Sequence, residues 1–208
     1  MEYSDSREKS EILDIFQGQI FNEIFCPCKH KNYGFENFIA IHLDIPSKSG
    51  FYSNSFDPKS TIQESLNKFC SAEELDDSNK YKCLTCKKEQ KCKKKSVIYG
   101  FPQILIIHLK RFEITNFLSK TKKLSFIKVD GKINLNVRIQ NIEKNESYLL
   151  FSVVNHNGSI YSGHYTTEVM GIYDKKWYDI SDTNVSSSSN PSDYQSSDCY
   201  ILFYKKIN

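Results

Sequence analysis

Nowhere in the 208 residues does an apolar run approach the roughly 18 that cross a membrane, and the opening "MEYSDSREKSE" lacks the apolar core of a signal peptide. No membrane partner is expected, and the chain is expected in the cytosol or the nucleus. One-sided charge is missing too: 28 basic residues stand against 25 acidic ones, a formal net charge of +3. That balance does not suit a nucleic-acid coat, and no nucleic-acid partner is expected; Lys91 to Lys95, broken by Cys92, reads as a solvated face. There is no internal repeat at a solenoid period, and the only low-complexity stretch, "VSSSSNPSDYQSSD", reads as a surface loop between two strands. An even set of cysteines is also lacking. The seven present would be reduced in such a compartment, so close pairs favour metal over disulfides.

The chain is long enough for one sizeable domain, or a core with a smaller lobe. Tyrosine, phenylalanine and β-branched residues are plentiful and point to a β-rich globular protein. "SEILDIF" reads as the end of a helix, and "GQIFNEIF" and residues 35–45, "FENFIAIHLDI", alternate like half-buried strands. A loop with Pro46, Gly50, Asn54 and Pro58 follows. Thr61 with Glu64 three residues on forms a capping-box signature, and Ile62, Leu66, Phe69 and Cys70 recur at helical spacing, which makes Cys70 a packed residue. Beyond it, "SVIYGFPQILIIHLKRFEI", "SYLLFSVVNH", "HYTTEVMGIY", "KWYDIS" and "CYILFYKK" make most of the second half a sheet, mainly antiparallel.

Two cysteine turns stand out. Cys83 and Cys86 form C-x-x-C, and Cys26 and Cys28 form a tighter C-x-C pair. Two such turns are the usual means of assembling four thiolates around Zn²⁺. The alternatives are four ordinary reduced thiols, or His30 as a ligand where Cys26 points away. Cys92 and Cys199 read as small core residues.

In "SGHYTTEV", Gly163 precedes His164 and would leave one face of the imidazole open to substrate. His156 lies eight residues upstream, across a loop with Gly158 and Gly163. Downstream, a hairpin around Gly171 to Lys176 leads to "WYDISD", where Asp182 sits near a strand end. A carboxylate beside an imidazole fixes its tautomer and stabilises its charged form, the orienting half of a nucleophile, histidine and acid triad.

"SGHYTTEV" with "KWYDISD", "CLTC", "PQILIIHLKRFE" and "CYILFYKK" resembles the ubiquitin-specific protease family of deubiquitinating enzymes, over nearly the whole chain. The resemblance implies an α+β fold: a papain-like cysteine peptidase palm with a mostly antiparallel sheet, zinc-knuckle fingers, and the thumb helices largely absent. Residues 1–208 would be a partial catalytic domain, about 16–100 including the fingers and about 101–208 mainly palm. It implies that His164 is the general base, that Cys83 and Cys86 are the second half of a zinc knuckle, and that "HNGSIYSG" is a loop over the ubiquitin tail. Ubiquitin or a ubiquitinated protein would be the partner, and a further partner or a missing segment would cover the thumb-facing surface.

Three features depart from the family. Its nucleophile lies in a box resembling N-x-G-N-T-C-Y-x-N, which does not occur here. Its third triad position, counted from Trp177, is Ser181, so either Asp182 serves or the histidine goes without a carboxylate. Its first knuckle is usually C-x-x-C, which would place Phe25 at the first ligand position. Two functional expectations follow: a deubiquitinase fragment whose nucleophile comes from elsewhere, for which "SREKSEILDIFQGQ" resembles the middle of a domain, or an inactive module that binds ubiquitin. An unrelated zinc-stabilised β protein is the third and blandest reading.

Overall fold

A computed structural model of the chain describes residues 10–45, 61–77, 79–116, 119–139, 141–193 and 195–207. The expected loop at Pro46 to Pro58 lies outside the described residues. Helix α1 (Glu11–Phe16) leads into β1 (Gly18–Phe25), β2 (Lys31–Phe38) and β3 (Ala40–Leu43). Helix α2 (Ile62–Phe69) is followed by β4 (Ala72–Glu74), β5 (Tyr81–Lys82), β6 (Glu89–Gln90), β7 (Lys93–Gly100) and β8 (Ile104–Leu109). Short pieces come next: β9 (Phe112–Asn116), β10 (Ser119–Lys122) and β11 (Ile127–Lys128). The remainder is β12 (Lys132–Ile139), β13 (Ile142–Gly158), β14 (Gly163–Met170), β15 (Trp177–Ser181), β16 (Asn184–Ser188), β17 (Gln195–Ser196) and β18 (Cys199–Lys206).

Two sheets carry the architecture. The smaller runs β2-β1-β7-β4, all antiparallel. The larger runs β16-β15-β14-β13-β18-β8-β3, with β12 paired to the far end of β13. Within it only β3 and β8 are parallel. Strand β13 spans 17 residues, about 55 Å at strand rise, so one strand carries both the β12 hairpin and His156. Its pairing with β18 shifts register between Leu150 and Ser152 and again between Val154 and Asn155, the strand irregularities that bend and twist a long ribbon.

Alternation decides which side chains fill the core. In β8, Leu105, Ile107 and Leu109 are fully buried while Ile104, Ile106 and His108 face the other way. β12, "KINLNVRI", buries Ile133, Leu135 and Val137 and exposes the lysine and asparagine positions between them. Helix α2 covers this core with Ile62 and Leu66, and its capping box is complete: Glu64 N–H donates to Thr61 Oγ1 at 3.1 Å, and Thr61 N–H donates to Glu64 Oε2 at 3.2 Å. Arg111 is wholly buried and, among the described residues, pairs with no carboxylate. Its guanidinium donates to four carbonyls, those of Cys199 at 2.6 Å, Lys123 and Ser125 at 3.0 Å and Ser196 at 3.2 Å, and so ties the segment after β10 and the turn between β17 and β18 to the end of β8.

The alternating run at 35–45 is not one strand. Phe38 pairs with Gly18 in the small sheet and Ala40 with Ile106 in the large one, so the chain changes sheets at the exposed Ile39, and the buried positions shift phase from Phe38 to Ile41, Leu43 and Ile45. The serine-rich stretch is not a loop throughout, because Asn184–Ser188 pairs with β15 as the edge of the large sheet. Serine suits an edge whose outer side meets water. Two of the clustered lysines pair with exposed acids, Lys91 with Asp77 at 2.6 Å and Lys93 with Glu74 at 3.4 Å, and Lys95 stands opposite Glu23 of β1, in keeping with a solvated face.

Candidate functional site

The two cysteine turns meet at the tip of the small sheet. Cys26 and Cys28 lie in the turn between β1 and β2, and Cys83 and Cys86 in the turn between β5 and β6. Each turn closes in the same way. Lys29 N–H donates to Cys26 O and Lys87 N–H to Cys83 O, both at 2.9 Å, and Cys26 and Cys83 N–H donate onward to His30 O and Lys88 O. Lys29 (φ 68°) and Lys87 (φ 59°) both take the left-handed conformation that reverses the chain. The C-x-C turn is simply one residue shorter, and Phe25 remains the last residue of β1, paired with Lys31 and Lys93. Neither a register shift nor His30 is needed.

The four Sγ atoms lie within 4.8 Å of one another, with Cys26 to Cys86 at 3.9 Å and Cys28 to Cys83 at 3.7 Å. Four sulfurs tetrahedrally placed at zinc's bond length stand about 3.8 Å apart, so this set fits a metal ion of that class. The N–H groups of Cys86 and Thr85 point at the Cys83 sulfur and hold its pKa down to about 6. Cys28 is pushed up to about 12, chiefly by sharing a proton with the Cys26 thiol. Cys92 is fully buried beside the cluster and outside the ligand set, and burial raises its thiol. Burial likewise raises Cys70 and the wholly enclosed Cys199, which sits under the Arg111 guanidinium.

His164 is the second residue of β14, just past a tight hairpin. Gly158 opens that turn at φ 122°, where a Cβ would lie 2.5 Å from Ser162 O, so a side chain is excluded there. Ser159 N–H donates to Ser162 O at 2.8 Å and closes the turn, and Tyr161 stands 76% exposed at its tip. Strand β15 pairs with β14 from Met170 to Thr167, which makes His164 and Ser181 diagonal neighbours on one face. His164 Nε2 lies 2.8 Å from Ser181 Oγ. Asp182 begins the tight turn between Ser181 and Asn184, at φ 52°, and its Oδ2 is 4.0 Å from the same nitrogen. The carboxylate is 81% exposed, so water screens it, and the serine hydroxyl is the bonded neighbour. In the tautomer whose Nε2–H donates to Ser181 Oγ, Nδ1 is the nitrogen with the free lone pair.

His156 does not join this group. It pairs with Tyr165, not His164, and so projects from the opposite face, where it packs against Phe112, Tyr165 and Tyr200. Burial, and then the Lys122 ammonium, push its pKa below the ordinary histidine value. It also supplies a different reason for Gly163. A Cβ there would lie 2.3 Å from His156 Nε2 and 2.5 Å from Asn157 O, so the missing side chain makes room for His156 rather than exposing His164. Lys122, almost wholly buried, donates to His156 O and reaches Asp198 Oδ1 at 3.5 Å, fastening β10 beneath the hairpin. One lysine among many carries no sequence signal of that role; Arg111, inside the quoted "HLKRFE", was visible only as part of a resemblance.

The family model for "Ubiquitin carboxyl-terminal hydrolase" matches residues 2–204. The chain belongs to this family, the ubiquitin-specific protease type of deubiquitinase. It is 30% identical over 206 residues to "Ubiquitin carboxyl-terminal hydrolase Usp2" of Drosophila melanogaster, covering 99% of this chain and 21% of the fly protein. With "Ubiquitin carboxyl-terminal hydrolase 2" of Gallus gallus it shares 32% over 201 residues, 96% of this chain and 54% of that protein. Among solved structures, the SAGA Ubp8/Sgf11/Sus1/Sgf73 DUB module bound to ubiquitin aldehyde superposes with a TM-score of 0.78 at 26% identity, over 98% of this chain and 44% of the other. This domain of two helices and mostly antiparallel sheet, with a four-cysteine tip, thus has the fingers-and-palm architecture of the family and spans about half or less of these relatives. Among the described residues no helix is long and apolar enough to cross a membrane.

Proposed function

We propose that the chain is the histidine-bearing fingers-and-palm part of a deubiquitinase: it binds ubiquitin, and His164 is the general base for a cysteine thiol contributed from outside these residues. The 2.8 Å contact between His164 Nε2 and Ser181 Oγ carries the reading, because it holds a half-exposed imidazole at a hairpin mouth with Nδ1 available. His164 takes the thiol proton as sulfur attacks the isopeptide carbonyl after ubiquitin's last glycine. The imidazolium then protonates the departing lysine amine, and water, deprotonated by the same ring, hydrolyses the thioester. Ser181 orients the ring without adding negative charge, and Asp182 supplies a screened one. Cys26, Cys28, Cys83 and Cys86 would hold a structural zinc, a closed set that fixes the fingertip and takes no part in the reaction. Residues from about 16 to 100 would include the fingers, and those from about 101 to 208 would be mainly palm. The reducing cytosol or nucleus suits so many free thiols.

The burial of Cys92 and Cys199 and the packing of Cys70 support a nucleophile from elsewhere, since none of them is an exposed thiol. The neutral Ser181 favours a second reading, an inactive module that retains only ubiquitin binding. A ubiquitin probe with a thiol-reactive C-terminus tests the shared premise. No adduct should form on any of the seven cysteines, while unmodified ubiquitin binds reversibly; an adduct that survives denaturation sinks both readings. Adding a cysteine-bearing thumb segment from a relative separates them. Turnover that disappears with His164→Ala supports the first reading, and binding without turnover supports the second.

A further inference from the structure

Cys92 has no place in the four-sulfur set, yet it is fully buried beside it, packed with Cys26 and Cys83 and flanked by Ile24, Leu75 and Tyr81. Its position follows from the ladder of the small sheet. Strands β1 and β7 pair antiparallel in unbroken register from Ile20 with Ile98 to Phe25 with Lys93, so the next step along brings Cys26 opposite Cys92. The backbone shows which kind of pair they make. Cys26 N–H donates to His30 O at 2.9 Å, on the β2 side, and Cys92 O accepts from Leu75 N–H at 2.8 Å, on the β4 side. Each turns its peptide groups away from the other, as in a non-hydrogen-bonded pair, where Cα atoms stand about 4.5 Å apart and the side chains come closest. A disulfide spans Cα separations of about 4.4–6.8 Å, so this position admits one. The Cys26 side chain is already a hydrogen-bond partner of the Cys92 thiol.

We propose that Cys92 is the resolving thiol of an oxidation switch: with a peroxide it forms a disulfide to Cys26, which takes one ligand out of the four-sulfur set and releases the zinc. The inference rests on the zinc reading of Cys26, Cys28, Cys83 and Cys86. With metal bound, the Cys26 sulfur is engaged and Cys92, at 0% exposure, is closed to the oxidant. Peroxide transfers one oxygen to the Cys26 thiolate as its O–O bond breaks and hydroxide leaves. The Cys92 sulfur attacks the resulting sulfenic acid, the S–S bond forms, and the sulfenic oxygen departs as water with the Cys92 proton. The two sulfurs give up the two electrons that reduce the peroxide. Three sulfurs then remain where a closed structural site takes four.

Other thiols of the cluster are also close, and the sheet decides between them. The contacts of Cys26 with Cys86 and of Cys28 with Cys83 join turns that belong to two different sheets. Strands β5 and β6, which carry Cys83 and Cys86 between them, share two paired positions, Tyr81 with Gln90 and Lys82 with Glu89. Loss of the metal removes a tie between that short ribbon and the small sheet, whereas the ladder of β1 and β7 keeps Cys26 against Cys92 with or without it. The disulfide therefore closes where the backbone already holds the two sulfurs together.

The test uses the full chain loaded with zinc and treated with a small excess of hydrogen peroxide, with freed zinc read by a metallochromic dye and the remaining thiols alkylated for peptide mapping. The expected result is about one zinc released per chain, a disulfide joining the Cys26 and Cys92 peptides, and zinc binding restored by a reductant. Cys92→Ala and Cys92→Ser should load zinc like the parent. Without the resolving thiol, Cys26 passes on to the sulfinic acid, so the zinc binding that a reductant restores should fall by roughly half or more. Zinc content before oxidation tests the metal reading by itself, and the disulfide map, taken on the loaded and the metal-free chain alike, tests the switch. Cys92 recovered as a free thiol while disulfides form among the other four, or a disulfide between Cys26 and Cys92 in a chain that keeps its zinc, overturns the proposal.

Discussion

The fingertip cluster and the His164 site are both built at hairpin ends, and they differ in closure. At the fingertip, two turns with matching backbone hydrogen bonds bring four sulfurs within 4.8 Å, and every donor such a site needs is local. At the hairpin after β13, one imidazole meets one hydroxyl, with a screened carboxylate nearby and solvent over the ring. A closed set of donors stabilises its own surroundings, whereas an open histidine gains a role only from what docks against it.

Breaking the closed site should have the largest effect. Cys83→Ser removes the sulfur that two N–H groups already favour as a thiolate, and metal affinity is expected to fall on the order of a hundredfold or more, read as metal content after dialysis against a mild chelator. Next comes the packing that supports the open site. Gly163→Ala forces a methyl against His156 and Asn157 O and should cost about 1–3 kcal/mol in denaturant unfolding. Gly34→Ala, with nothing within 4 Å of the new Cβ, should stay within about 0.5 kcal/mol of the parent.

A smaller effect should separate the two histidines of the hairpin. His156 is held neutral by burial, with a folded pKa below its ordinary 6.5. Above that value both folded and unfolded forms are neutral and stability is complete. As the pH falls below it the unfolded chain binds a proton that the folded chain resists, so stability declines until the folded pKa is passed. His156→Gln should flatten this acid slope in thermal melts, though only in part, because burial shifts His108 in the same direction. The smallest effect is expected from Ser181→Ala. It should leave global stability nearly unchanged while loosening the His164 ring, seen as mixed tautomers in imidazole nitrogen spectra.

What the sequence shows follows from how local each feature is. The four cysteines were legible because two tight turns carry their own spacing. The capping box at Thr61 was legible for the same reason, whereas the nearly continuous apolar run of β8 marked a strand without showing which face is buried. The placement of His156 was not, because which face a residue takes depends on the register across the hairpin, and pairing it with Tyr165 turns it away from His164. Ser181 was reached through family resemblance; spacing alone suggested Asp182, and only the diagonal between β14 and β15 shows which of them bonds to the ring. The facing of Cys26 and Cys92 rests on the ladder between β1 and β7, which no local pattern announces.

The central claim is that one chain holds a complete fingertip and half of a catalytic site, both facing ubiquitin. Titrating unlabelled ubiquitin into the nitrogen-15-labelled chain, with amide shifts followed by NMR, tests it most directly. The account predicts saturable shifts both around the cysteine turns and in residues 158–164 at the hairpin, retained in full by His164→Ala. No saturable shift in either region, or shifts confined to surfaces away from both, would contradict it.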